Sequence, residues 1–136
     1  MSVIVRNSYG AIAVNKVVIE RMIIEDMLGM DPLLMLSNRK GKPIKEKPTP
    51  FIDPDYYDAV DVSEKKDQTK VTIYIIVKKK KNISAVADRI FDAVESDFEM
   101  LRLSKPSSIS VKVRGIEEPV NGEIVKRNID IVRNNY

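Results

Sequence analysis

The chain of 136 residues has neither cysteine nor histidine. Without cysteine there are no disulfides, no thiolate zinc sites and no cysteine nucleophile. Without histidine the commonest general base and the commonest metal ligand are both missing. No apolar run approaches the roughly 18 residues of a membrane span, so no transmembrane segment is expected. The start, Met1-Ser2-Val3-Ile4-Val5-Arg6, lacks the basic region and long apolar core of a secretory signal, so a cytoplasmic chain is expected. Only five glycines are present. There is no G-x-x-x-x-G-K-[ST], no H-E-x-x-H and no dinucleotide fingerprint. Ser84 and Ser104 have no histidine to activate them. Asp53, Asp55, Asp58 and Asp61 are closely spaced, but they lack the glycine and terminal glutamate of a calcium loop. Nothing marks a carboxylate pair placed for hydrolysis. The expectation is a protein without catalytic residues, cofactor or metal. A large charge imbalance is also missing. Basic residues number 23 and acidic residues 20, a net charge of +3, which does not demand a nucleic-acid partner.

What is present supports a folded core. Hydrophobic residues make up 43% of the chain and charged residues 32%. At this length one domain is the simplest reading, and folding removes roughly two-thirds of the surface from water. Gly10 to Val14 reads as a strand. Asn15 suits the N-cap of a helix over 16–28. On that helix Val18, Ile19, Met22, Ile23, Met27 and Met30 are spread too widely for one sheet-facing stripe. They imply deep burial, or a contact with a second copy or partner. Gly29 and Asp31-Pro32 end the helix, and Leu33 to Leu36 suits a short strand.

The segment 37–55 holds four of the seven prolines, together with Arg39, Lys40, Lys42, Lys45 and Lys47. Such long connections are usually functional or solvated, and this one reads as a solvated loop or as a basic arm for an acidic partner. Tyr57 to Ser63 reads as a strand with Ala59 exposed or near an edge. The charged turn from Glu64 to Gln68 joins it as a hairpin to Thr69–Val77. That second strand is apolar on both faces, as a central strand should be.

The span 83–102 is amphipathic. Ile83, Val86, Ala87, Ile90, Val94, Phe98 and Leu101 share one arc, and Asp88, Arg89, Asp92, Glu95, Ser96 and Glu99 lie largely opposite. Pro106 ends it. Ile109, Val111 and Val113 then alternate with polar residues. Val125, Ile129, Val132 and Tyr136 recur at helical spacing, predicting a short terminal helix. The expected fold is α+β, a two-layer sandwich. Its sheet has about four strands, near residues 10–14, 57–63, 69–78 and 108–114. Two main helices lie on one face, with the short C-terminal helix beside them. The domain is expected over 1–116, with a helical extension over 117–136. Self-association is expected from the apolar surface of the first helix and the tail.

Lys78, Lys79, Lys80 and Lys81 leave the central strand just before the second helix. Helix N-termini favour anions, and lysines at a sheet edge also discourage strand-to-strand aggregation. Lys78 to Lys81, Arg39 and Lys40 are the candidate anion or partner contacts.

These pieces resemble the alkaline shock protein 23 family of bacterial envelope stress response proteins. The family's opening Gly-x-Ile-x-Ile strand and following valine pair appear as Gly10, Ile12, Val14 and Val17-Val18-Ile19. Its central strand and Asn-Ile turn appear as Ile73-Tyr74-Ile75-Ile76-Val77 and Asn82-Ile83. Its second helix and closing strand appear as Val86-Ala87, Ile90, Val94, Val111, Val113 and Gly115-Ile116. The resemblance runs over about residues 9–116. The family's Tyr-Gly before the turn is Lys79-Lys80 here, and the glutamine of its second helix is Phe91. The resemblance implies a non-enzymatic scaffold or interaction protein in envelope homeostasis, with a protein partner near the membrane. The rival reading is a small RNA-binding module using Lys78 to Lys81 and the basic loop 39–47. It lacks paired aromatics for base stacking and a GXXG loop. Any nucleic-acid binding is therefore expected to be weak and non-specific.

Overall fold

The computed structural model describes residues 2–7, 10–30, 33–44, 54–65, 68–78, 81–118 and 122–135. Strands β1 (Ser2–Asn7) and β2 (Gly10–Asn15) form an antiparallel hairpin of their own. Helix α1 (Lys16–Leu28) follows at once, then the short strand β3 (Leu34–Leu36). A tight 3-10 turn, Pro54–Ala59, leads into β4 (Val60–Lys65), which pairs antiparallel with β5 (Gln68–Val77). Helix α2 (Ile83–Met100) then carries the chain to β6 (Ser108–Glu117), parallel to β5. A parallel pair needs such a crossover, because a tight turn can only reverse the chain. Strand β7 (Ile124–Asn134) returns antiparallel to β6.

β5 is the centre of a five-stranded sheet. One of its sides is filled by β4 and β3 in succession, β4 along Gln68–Ile73 and β3 along Ile75–Val77. The other side takes β6. Paired residues share a face, so Leu34, Leu36, Val60, Val62, Val71, Ile73, Ile75, Val77, Ile109, Val111 and Val113 form one apolar layer. Ile19, Ile23, Ile24 and Met27 of α1 join it, as do Val86, Ala87, Ile90, Phe91, Val94 and Phe98 of α2. The helices divide the sheet between them. α1 serves β3, β4 and the 3-10 turn, α2 serves β6 and β7, and the two touch each other.

Both ends of α2 are set locally. The Asn82 side chain accepts a hydrogen bond from the Ala85 N–H at 3.0 Å, as an N-cap does. At the other end Arg102 N–H donates to Glu99 O at 2.9 Å and Leu103 N–H to Phe98 O at 2.9 Å. This is a Schellman stop. It puts Arg102 at φ 58 and buries Leu103 beneath it.

Several expectations need correction. The tail is not a helix: β7 is an eleven-residue strand. Its helical spacing is accidental, since Ile124, Val125, Ile129, Ile131 and Val132 are β-branched and fit a pleated edge. Ile129, Ile131 and Arg133 alternate inward. The edge of β6 gives this segment a ladder that an isolated short helix lacks. Tyr136 lies outside the described residues.

The strand at 10–14 exists, but it pairs with β1 and not with the main sheet, both sides of β5 being taken. The strand expected from Tyr57 begins at Val60, because Pro54 opens a helical turn that buries Tyr56, and Ala59, expected exposed or near an edge, is fully buried in that turn. Most of the broad apolar surface of α1 is consumed inside the chain, although Val17 and Val18 stay about half exposed (51% and 46%). Of the loop 37–55, residues 37–44 and the turn from Pro54 are described; Lys45 and Lys47 lie outside.

Arg133 fastens β7 to α2. Its guanidinium reaches Glu95 at 2.7 Å, Asp92 at 3.0 Å and Asp88 at 3.8 Å, and lies 4.8 Å from the centre of the Phe91 ring. The Asn135 amide donates to Glu95 Oε2 at 2.9 Å.

Candidate functional site

The lysine run and the Arg39 region occupy different places. Lys78 closes β5, is half-buried, and donates its N–H to Leu33 O at 3.0 Å. Lys81 is exposed ahead of α2, and Lys79 and Lys80 lie outside the described residues. The start of α2 is partly used already, because Asn82 takes the Ala85 N–H that an anion would need.

Arg39 and Lys40 sit on a built turn after β3. Asn38 Oδ1 accepts from the N–H groups of Lys40 (2.9 Å) and Lys42 (3.0 Å), and Gly41 N–H donates to Asn38 O at 3.0 Å. Asparagine side chains make such turns readily. Gly41 has φ +90, a conformation suited to glycine. It also lies against Arg114: a Cβ there would sit 3.5 Å from the Arg114 Cβ.

The turn thereby brings Arg39 over the second face of the sheet, the one turned away from the apolar layer. Register places Tyr74 beside Lys112, Lys112 beside Asp130, and Asp61 beside Thr72 on that face. The Arg39 guanidinium is 6.0 Å from the centre of the Tyr74 ring, and that of Arg114 is 5.4 Å away. Both are within cation–π range.

A bulge in β6 aims Arg114. The registers with β5 and β7 both shift between Val113 and Gly115. Bulges commonly redirect a side chain this way. Arg114 Nη1 donates to Asn128 Oδ1 at 2.8 Å. Gly115 is required beside it, since a Cβ there would lie 2.7 Å from Ile124 Cγ2. Asp61 stands 3.7 Å from both Arg39 and Lys16, and Lys112 is 3.5 Å from Asp130. Burial raises the pKa of nearby Glu20, against the lowering pull of Lys16 and Arg39. An open groove of about 410 Å³ runs between the turn and β7, lined by Lys40, Gly41, Lys42, Pro43, Ile124 and Lys126.

Of these, the sequence points to Arg39 and Lys40 as contacts, and not to Tyr74, Arg114, Asn128 or Lys126. The strand alternation around Tyr74 and Lys112 was a usable signal. The bulge that turns Arg114 toward Tyr74 has no local signature. Among the described residues no group of three or more metal-ligating side chains comes together.

The two helices are acidic, and the described charges on the second face are Arg39, Lys112, Arg114 and Lys126 beside Asp61 and Asp130. The two helices carry three basic side chains (Lys16, Arg21, Arg89) and eight acidic ones (Glu20, Glu25, Asp26, Asp88, Asp92, Glu95, Asp97, Glu99). The chain has 23 basic and 20 acidic residues. The rest of it therefore holds 20 basic against 12 acidic. Guanidinium and ammonium groups so placed can pair with carboxylates or phosphates.

The model of the alkaline shock protein 23 family, described as having a cell envelope-related function, matches residues 5–118. The chain belongs to that family. The match takes in β1's second half through β6 and stops before β7. Arg39, Tyr74 and Arg114 thus lie within the family's domain, whereas Asn128, Lys126 and the Arg133 clamp come from the strand beyond it. No curated protein and no solved structure gives a match. No helix among the described residues is long and apolar enough to cross a membrane.

Proposed function

We propose that this chain is a non-enzymatic interaction protein of envelope homeostasis, and that its basic sheet face receives an acidic protein partner at the inner surface of the membrane. The observation that carries this reading is the cluster of Arg39, Tyr74 and Arg114 on a built turn and a bulged strand, beside the groove of Lys40, Lys42 and Lys126. Arginine and tyrosine are the side chains on which interfaces most often depend. Family membership supplies the envelope role. Lys78 and Lys81 lie apart from this cluster, at the end of β5 and ahead of α2.

A photo-crosslinking residue at position 40 tests it in intact cells. The expected product is a discrete protein adduct in the membrane fraction. It should be lost in Arg39→Glu and kept in Arg89→Glu, which changes the exposed side of α2. An adduct indifferent to Arg39→Glu would overturn the surface assignment.

One observation favours RNA as a second reading: a tyrosine on a sheet face between two guanidiniums is the start of a stacking platform. It is a single ring, whereas sheet-based RNA modules stack two or three bases. An adduct abolished by ribonuclease would favour that reading.

A further inference from the structure

Asp26 near the end of α1 and Asp97 near the end of α2 face each other where the two helices touch. Asp97 is only 6% exposed. The Oδ2 atom of each is buried and has no hydrogen-bond partner. Ionised carboxylates only accept hydrogen bonds, so two of them face to face out of water leave acceptor against acceptor. A single shared proton removes the clash by turning one carboxyl into a donor.

Among the described residues, the charges that act on Asp97 offer no relief. α1 presents Asp26 and Glu25 to Asp97, and both disfavour its charge. Glu25 itself pairs with Arg21 at 3.4 Å. On its own helix Asp97 has Ala93, Val94, Met100 and Leu101 one turn away, none of them titratable. The cation that β7 brings to α2, Arg133, is held by Asp88, Asp92 and Glu95.

We propose that Asp26 and Asp97 form a proton-held latch between α1 and α2, closed while one proton is shared and released when it leaves. Burial first, and then Asp26, push the Asp97 carboxyl from 3.8 up to about 8. The folded value lies above the unfolded one. The stabilisation is therefore complete below about pH 4, where both states are protonated, and is lost as pH rises toward the folded value. Above about 8 the folded chain holds two facing charges at the helix contact. The end of α1 should then loosen, together with the Gly29–Met30 turn whose Met30 O accepts from Leu33 N–H at 2.7 Å ahead of β3.

Carboxyl carbon shifts of labelled full-length chain, followed across pH, test the shared proton. Amide exchange along α1 tests the latch. The pair should show an upper titration step near 8. Exchange protection of the last turns of α1, corrected for intrinsic rates, should fall across the upper step. In Asp97→Asn the upper step should vanish and the protection should hold. In Asp26→Asn the Asp97 step should move down, because the facing charge is gone. That variant decides the matter if Asp97→Asn fails to fold. The latch is overturned if no aspartate titrates above about pH 6, or if α1 protection follows the same course in wild type and in the folded asparagine variant.

Discussion

Two side chains at the end of α2 show how much single residues contribute. Phe98 is fully buried where the helix meets both α1 and the sheet. Removing its ring leaves a cavity that a packed core closes only in part. Phe98→Ala should cost about 3–5 kcal/mol in denaturant unfolding, with the slope unchanged if the native core otherwise survives. Arg102 is the opposite case. It holds φ 58 to end the helix, a conformation that costs an L-residue roughly 1–2 kcal/mol. Glycine adopts it freely but loses more chain entropy on folding. Arg102→Gly should therefore raise the unfolding midpoint, by up to about 1 kcal/mol in stability. A loss on the same assay would show that the arginine side chain outweighs its backbone strain.

Among the elements, β7 has the most to explain. It lies beyond the family match, yet it completes the sheet and carries the ion network on α2. Its strand character comes from β-branched residues meeting a free edge. Arg133 then selects its docking position, since Asp88, Asp92 and Glu95 lie on successive turns of α2. Asp88 and Asp92 are largely exposed (69% and 75%), so solvent screens them, while Glu95 is nearly covered at 14%. Arg133→Ala should cost about 1 kcal/mol. Amide exchange should show the loss concentrated in β7, and the difference from wild type should narrow at high salt.

At the scale of the molecule, charge separation matters more than net charge. A chain at +3 with eight of its 20 acids on the helices still offers a polyanion the cluster of Arg39, Arg114, Lys40, Lys42 and Lys126. Single-stranded RNA should bind weakly at low salt. The affinity should collapse toward physiological salt, since each neutralised phosphate adds to the salt slope. Little dependence on base sequence is expected, one tyrosine being a poor stacking platform. Fluorescence titration at two salt concentrations checks this. Binding that survives physiological salt and is lost in the double variant Lys79→Glu, Lys80→Glu would move RNA ahead of a protein partner.

The sequence alone was enough for α1, α2, β5, the closing strand β6 and the family. Each of these depends on neighbours along the chain: helical spacing in Val86, Ile90, Val94 and Phe98, alternation in Ile109, Val111 and Val113, and an asparagine cap at position 82. The tertiary structure decided what depends on distant partners. Val125, Ile129 and Val132 fit a helix by spacing and a strand by shape, and only the edge of β6 chose between them. Arg39, Tyr74 and Arg114 meet because a turn, a central strand and a bulge converge, and no periodicity records a bulge. Asp26 and Asp97 are ordinary surface acids until two helices cross and exclude water from between them. Local pattern sets which elements form, and packing at their contacts sets which polar side chains lose their water.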